Sequence, residues 1–172
     1  MINIVLFQPE IPQNTGNIIR TTMALGARLH IIKPMGFSLD EKSLKRAGMD
    51  YIDDVDLTIY EDIEDFKMQN PNADIYYVTR YAKKTYSSYD FSDVTKDYYF
   101  MFGRESTGIP HDILREHEDR LLRIPMVINA RSLNLSNSVA IVTYEAARQQ
   151  KFFSLSTIEA IKGEDFLDTE IK

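Results

Sequence analysis

Cysteine is absent from this 172-residue chain. That excludes a disulfide scaffold, a Cys-ligated zinc or iron–sulfur site and a thiol nucleophile. Long apolar runs are absent too. None approaches the ~18 residues that a membrane span needs. Met1 to Phe7 leads at once into Gln8-Pro9-Glu10, with no basic leader region, so the expected setting is the cytoplasm and no membrane partner is expected. There is no G-x-S-x-G nucleophile elbow and no G-x-G-x-x-G dinucleotide fingerprint. The histidines are His30, His111 and His117. The last two stand six residues apart, about 240° around a helix, so they do not share a metal. His30 falls within an apolar strand and reads as a structural residue. No metal is expected.

An excess of positive charge is also missing. The formal net charge is −6, which taken alone argues against a nucleic-acid partner. The distribution says more than the sum. Residues 11–50 carry six Lys/Arg and three Asp/Glu, net +3, whereas residues 51–75 carry one Lys and eight acids, net −7. The acidic segment lacks EF-hand spacing and reads as a solvated face. It leaves a basic stretch beside it.

What is present is an alternation of apolar strands and amphipathic helices. At roughly 150 residues per domain the length fits one domain. Strands are predicted at 2–7, 29–32, 57–60, 75–79, 98–102 and 121–124. Helices are predicted at 16–25, 40–47, 61–69, 110–115 and 135–151, with Gly26 as a stop for the first. Residues 80–96 are polar with weak periodicity. Nearly continuous apolar strands separated by helices imply an α/β fold, a mostly parallel sheet flanked by helices. One domain is expected over 1–155, with 156–172 as an acidic tail and a candidate disordered segment.

Ligands of such sheets bind where strands end and loops begin, which singles out three loops. In the first, Asn14-Thr15-Gly16-Asn17-Ile18-Ile19-Arg20, a cation close to a helix N-terminus opposes the macrodipole and points to an anionic ligand. The plainer reading makes Asn14 a helix cap and Arg20 a solvated side chain. The second, 102–110, has Gly103 and Gly108 bracketing a polar turn. Ile109-Pro110 stands where a P-loop requires Lys-Ser/Thr, so that motif is excluded. Its plainer reading is an ordinary turn with a surface Glu105. The third runs from Ile124-Pro125-Met126 to Arg131-Ser132-Leu133-Asn134-Leu135. Alternation would turn Leu133 and Leu135 into the protein and Ser132 and Asn134 toward a site. Its plainer reading is a capped approach to a helix.

Together, in this order and spacing, these segments resemble the SPOUT superfamily of RNA 2′-O-methyltransferases. The supporting segments are 9–20, 29–37, 46–51, 101–110, 124–126 and 131–137. Within the superfamily the chain is similar to the small single-domain TrmL/YibK-like branch that methylates the wobble nucleotide of leucine tRNAs, over about residues 1–150. The resemblance implies a deep trefoil knot in the C-terminal part of the fold. It implies S-adenosylmethionine as methyl donor, with S-adenosylhomocysteine as product. It also implies methylation of cytidine or modified uridine at tRNA position 34, in tRNA-Leu, by a homodimer whose first and last helices pack across a two-fold. The stripe Val139, Val142 and Ala146 suits either that dimer or an ordinary core.

By position the resemblance assigns Val78, Thr79, Gly103, Ile124, Met126, Ser132 and Leu133 to the cofactor. It assigns Asn14, Arg20, Glu105, Ser132 and Asn134 to catalysis, and the basic face of Lys42, Lys45 and Arg46 with Arg20 to RNA. A guanidinium stays protonated, so Arg20 is read as a phosphate clamp and 2′-hydroxyl orienter. Asn14 is expected to hold Arg20 or the ribose, and Glu105 to organise its loop. The alternatives are a 2′-O-methyltransferase of ribosomal RNA or of another tRNA position, a catalytically silent RNA-binding SPOUT protein, and a small-molecule nucleotide enzyme using the same pocket.

Overall fold

A computed structural model describes residues 1–38 and 55–169. Six strands form one parallel sheet in the order β3-β2-β1-β5-β4-β6. They are β1 (Ile2–Phe7), β2 (Arg28–Ile32), β3 (Asp56–Tyr60), β4 (Asp74–Val78), β5 (Tyr98–Phe102) and β6 (Leu121–Leu122). The helices are α1 (Pro12–Leu25), α2 (Ile63–Gln69), α3 (His111–Glu116), α4 (Leu135–Gln149) and α5 (Phe166–Thr169).

Every residue of β1 and β5 is buried, as expected of central strands covered on both faces. Alternate side chains then feed two cores. Ile4 and Leu6 join Ile18 of α1 and Val139, Val142 and Ala146 of α4 on one face. Val5 and Phe7 join Phe66 of α2 and Leu114 of α3 on the other. The Val139/Val142/Ala146 stripe is therefore core within the chain. Each such valine stabilises the fold by about 1.5–3 kcal/mol. His30 is buried as well. Its Nδ1 lies 2.8 Å from the Tyr60 hydroxyl and its Nε2 3.2 Å from Asn3 Oδ1, which confirms its structural reading.

Two departures from the expected boundaries have a structural reason. α1 begins at Pro12, four residues earlier than predicted, because proline suits the first helical turn, where its missing N–H has no partner to lose. β6 stops at Leu122. Its partner β4 ends at Val78, and Arg123 pairs instead with the 80–96 segment, donating to Lys84 O at 2.9 Å and accepting from Tyr86 N at 2.9 Å. That segment, polar in sequence, is pinned at its other end by α4: Gln149 Oε1 accepts from Phe91 N at 2.7 Å. Gly26 caps α1 at φ 57, as predicted. The helix expected at 40–47 lies outside the described residues.

Candidate active site

The sheet order reverses around β1, the strand between β2 and β5. Such a switch point opens a crevice at the carboxyl ends of the strands. Here the chain segments following β1, β4, β5 and β6 enclose a cavity of about 590 Å³. That falls within the range of small-molecule sites, about 300–1,000 Å³.

The loops are joined by one directed chain of hydrogen bonds. The Glu105 carboxylate accepts from Glu10 N at 2.8 Å, Ile11 N at 3.2 Å and Asn14 Nδ2 at 3.0 Å. An ionised carboxylate only accepts, so the NH₂ of Asn14 must face it and the Asn14 carbonyl must face away. That carbonyl takes a 2.9 Å bond from Asn134 Nδ2. Asn134 is thereby oriented with Oδ1 toward α4, where it accepts from Ser136 N at 2.9 Å and caps the helix. The relay ties the segments after β1, β5 and β6 together. It also sets a negative charge at the start of α1, where the helix dipole favours one.

A reciprocal clasp reinforces it. The Glu10 carboxylate accepts from Ser106 N at 2.9 Å and Ser106 Oγ at 2.8 Å. The Ser106 hydroxyl, and then its amide, hold the Glu10 carboxyl below the usual carboxylate range. Arg104 Nε donates to Gln8 Oε1 at 2.8 Å. Sequence reasoning assigned no role to Glu10 or Gln8. Their partners lie 96 positions away, and no local spacing signals such a pair.

Gly103 is required by its own loop. A Cβ there would stand 2.2 Å from Gly108 C and from Ile109 N, backbone atoms that have no room to yield. The turn folds back through Arg104 N donating to Gly108 O at 3.2 Å and Gly108 N donating to Arg104 O at 2.9 Å.

Ten of the expected site residues line this one cavity: Asn14, Val78, Thr79, Gly103, Glu105, Ile124, Met126, Ser132, Leu133 and Asn134. Ile11, Arg80, Tyr81 and Arg131 also line it and had not been assigned to a site. Several readings are corrected. Asn14 is the third residue of α1 and does not cap it; Ile11 occupies the cap position, with no side-chain bond. Asn14 holds Glu105 and Asn134 rather than Arg20. Arg20 is the ninth residue of the fourteen in α1, too far along for a conflict with the dipole. It is exposed, whereas Asn14 is buried, and it does not line the cavity. Leu133 is exposed at the cavity instead of turned into the protein, while Leu135 does pack on the core. Lys42, Lys45 and Arg46 lie outside the described residues.

The lining fits the methyl donor that the resemblance implies. Val78, Ile124, Met126 and Leu133 give apolar faces for a purine and ribose, and Thr79, Thr107 and Ser132 give hydroxyls. The stretch 125–134 lies outside helix and strand, leaving backbone groups to face a ligand. Among the described residues no three His, Asp or Glu side chains group closely enough to hold a metal. No helix among them is long and apolar enough to cross a membrane.

The profile of the SpoU rRNA Methylase family matches residues 1–144. A protein of Geobacillus stearothermophilus is 56% identical over 155 residues, spanning 90% of this chain and 99% of its own. The tRNA (cytidine(34)-2'-O)-methyltransferase of Escherichia coli K12 is 46% identical over 151 residues, spanning 87% of this chain and 94% of its own. A solved structure reported as "Structural insights into the 2-OH methylation of C/U34 on tRNA" superposes with a TM-score of 0.80 at 39% identity, over 88% of this chain and 97% of that one. The AviRb methyltransferase of Streptomyces viridochromogenes, in complex with the cofactor AdoMet, superposes with a TM-score of 0.71 at 25% identity, over 87% of this chain and 60% of that one.

Proposed function

The chain belongs to the SpoU rRNA Methylase family, and from that premise we propose that it methylates the 2′-oxygen of the wobble nucleotide, position 34, of tRNA. The carrying observation is the coincidence of two findings. Relatives that match nearly end to end act on that nucleotide by name, and the residues that the resemblance assigns to the site meet around one cavity.

S-adenosylmethionine bound there supplies an electrophilic methyl group on a sulfonium. A ribose 2′-oxygen held opposite the carbon–sulfur bond would take that methyl group, with the bonding pair staying on sulfur and the hydroxyl proton passing to water. Most of the work left to the protein is alignment, which a rigid site supplies by holding reactants close to the attack geometry. The Glu105–Asn14–Asn134 relay holds three cavity walls in register, and Ser132 and Leu133 stand on the wall that Asn134 anchors. Arg20, exposed two turns along α1 and outside the cavity of its own chain, is assigned to a backbone phosphate and to orienting the 2′-hydroxyl at a site that uses both chains of the dimer, with Lys42, Lys45 and Arg46 on the same RNA.

Leucine tRNA as substrate, a homodimer, a cytoplasmic setting and a catalytic unit of 1–155 complete the reading. The dimer would use the outer faces of α1 and α4, where Arg20 and Tyr144 are exposed, since the inner faces are core. The trefoil knot belongs to the same reading. Segment 84–91 bonds both to Arg123 and to Gln149, a contact between chain preceding β5 and chain following it that suits that reading.

Nucleoside mass spectrometry of tRNA from cells with and without the gene tests the activity. The 2′-O-methyl mark at position 34 of leucine tRNA should disappear with the gene; an unchanged mark refutes the reading. Arg20→Ala should abolish methyl transfer and leave cofactor affinity intact by calorimetry. Sedimentation of a fully active monomer would refute the dimer.

A further inference from the structure

A second cavity, of about 450 Å³, opens beside the first, and Tyr81 lines both. Its walls come from the start of the 80–96 segment, from α3, and from Glu118 and Leu121 that follow it. They carry Lys83, Lys84 and Arg115 against a single acid, Glu118. None of the three cations forms an ion pair with another described residue. Tyr81 is 58% exposed, unusual for so large a ring. It is nonetheless held in place. His111 meets its ring edge-on with centroids 5.0 Å apart, and the Arg80 guanidinium lies 5.6 Å from its centroid.

Lys84 Nζ lies 5.4 Å from the Tyr89 ring centroid, but a fixed, exposed aromatic ring rimmed by cations without an ion-pair partner matches what a single-stranded nucleotide needs: a face for the base and charge for the phosphate. An acidic peptide or an anionic lipid would also meet these cations and the apolar Leu114 and Leu121, but neither is brought here by an occupant of the first cavity, as a nucleotide of the methylated RNA is. The position also matters. A nucleotide next to the one in the first cavity has its phosphate within one backbone repeat, and Tyr81 spans both cavities.

We infer that the second cavity receives an unpaired nucleotide adjacent to the methylated one, its base against Tyr81 and His111 and its phosphate against Lys83, Lys84 and Arg115. This rests on the proposed RNA methylation, whose RNA-facing residues were otherwise placed on α1 and the 40–47 region.

The test uses the full chain with an anticodon stem-loop RNA and with whole tRNA. In Lys83→Ala/Arg115→Ala, RNA affinity and KM should weaken at least tenfold, with kcat within twofold and S-adenosylhomocysteine affinity unchanged. The slope of log affinity against log salt should shrink by about 1.4, two phosphate contacts at roughly 0.7 each for single strands. Tyr81→Ala should weaken RNA binding severalfold, and Tyr81→Phe, which keeps the ring, should restore it. Unchanged RNA affinity and salt slope in the double variant, while the wild type methylates tRNA, would overturn the inference alone. A wild type that binds the stem-loop through these residues yet transfers no methyl would overturn the activity and support the subsite. A wild type that does not bind RNA would overturn both.

Discussion

Glu105 only accepts hydrogen bonds, and that property propagates through two amides to the cap of a helix. Glu105→Gln keeps the shape but places an NH₂ against backbone N–H donors. Leaving such groups unmatched costs about 1–3 kcal/mol. Methyl transfer should fall at least tenfold in a radiolabel assay, with melting lowered by several degrees. Asn134 separates two roles. In Asn134→Asp the carboxylate still caps α4 but cannot donate to Asn14. Thermal melting should fall by only a few degrees, the cost of the lost relay bond with the cap kept, and by less than in Asn134→Ala, while methyl transfer falls at least tenfold in both. Equal loss of stability and activity would show that the cap, not the relay, is what matters. Asn14 and Glu105 were visible in the sequence as polar residues in loops after strands. Their bond was not, because they stand 91 positions apart.

At the scale of elements, β1, β2 and β3 meet around a buried imidazole. Burial first, and the Arg28 charge second, push His30 down from about 6.5 to about 4. The unfolded chain therefore binds this proton at a higher pH than the native one. Stability contributed here is complete above about pH 6.5 and is lost as pH falls toward about 4, by on the order of 3 kcal/mol. Urea unfolding between pH 4 and 7 should show that decline, and His30→Gln should flatten it. Helix α1 closes on Gly26 in the left-handed region with nothing within 4 Å of a built Cβ. Gly26→Ala should thus cost about 1 kcal/mol through backbone strain alone, or roughly 2–4 °C in melting for a chain of this size.

Over the whole molecule the packed structure ends near Leu155, the last residue set against the central core, and 156–165 are exposed. A chain ending after Leu155 should melt within about 2 °C of the full one and keep its methyl transfer. A large loss in either would give the tail a part in the fold or the site. The net charge of −6 is likewise a property of the whole that misleads about its parts. The exposed acids Glu61, Asp62 and Glu64 sit on or beside α2, on the sheet face opposite α1 and Arg20.

The order of strands and helices could be read from the chain because burial on both sheet faces demands continuous apolar segments, and that demand is local. The motif spacing carried the family resemblance and with it most of the residues around the cavity. What the chain could not reveal were the Glu10–Ser106 clasp, the Gln8–Arg104 contact and the second cavity around Tyr81. Each depends on segments far apart in sequence. Such pairings leave no period or spacing behind, and they exist only once the loops after β1, β4, β5 and β6 arrive at the same end of the sheet.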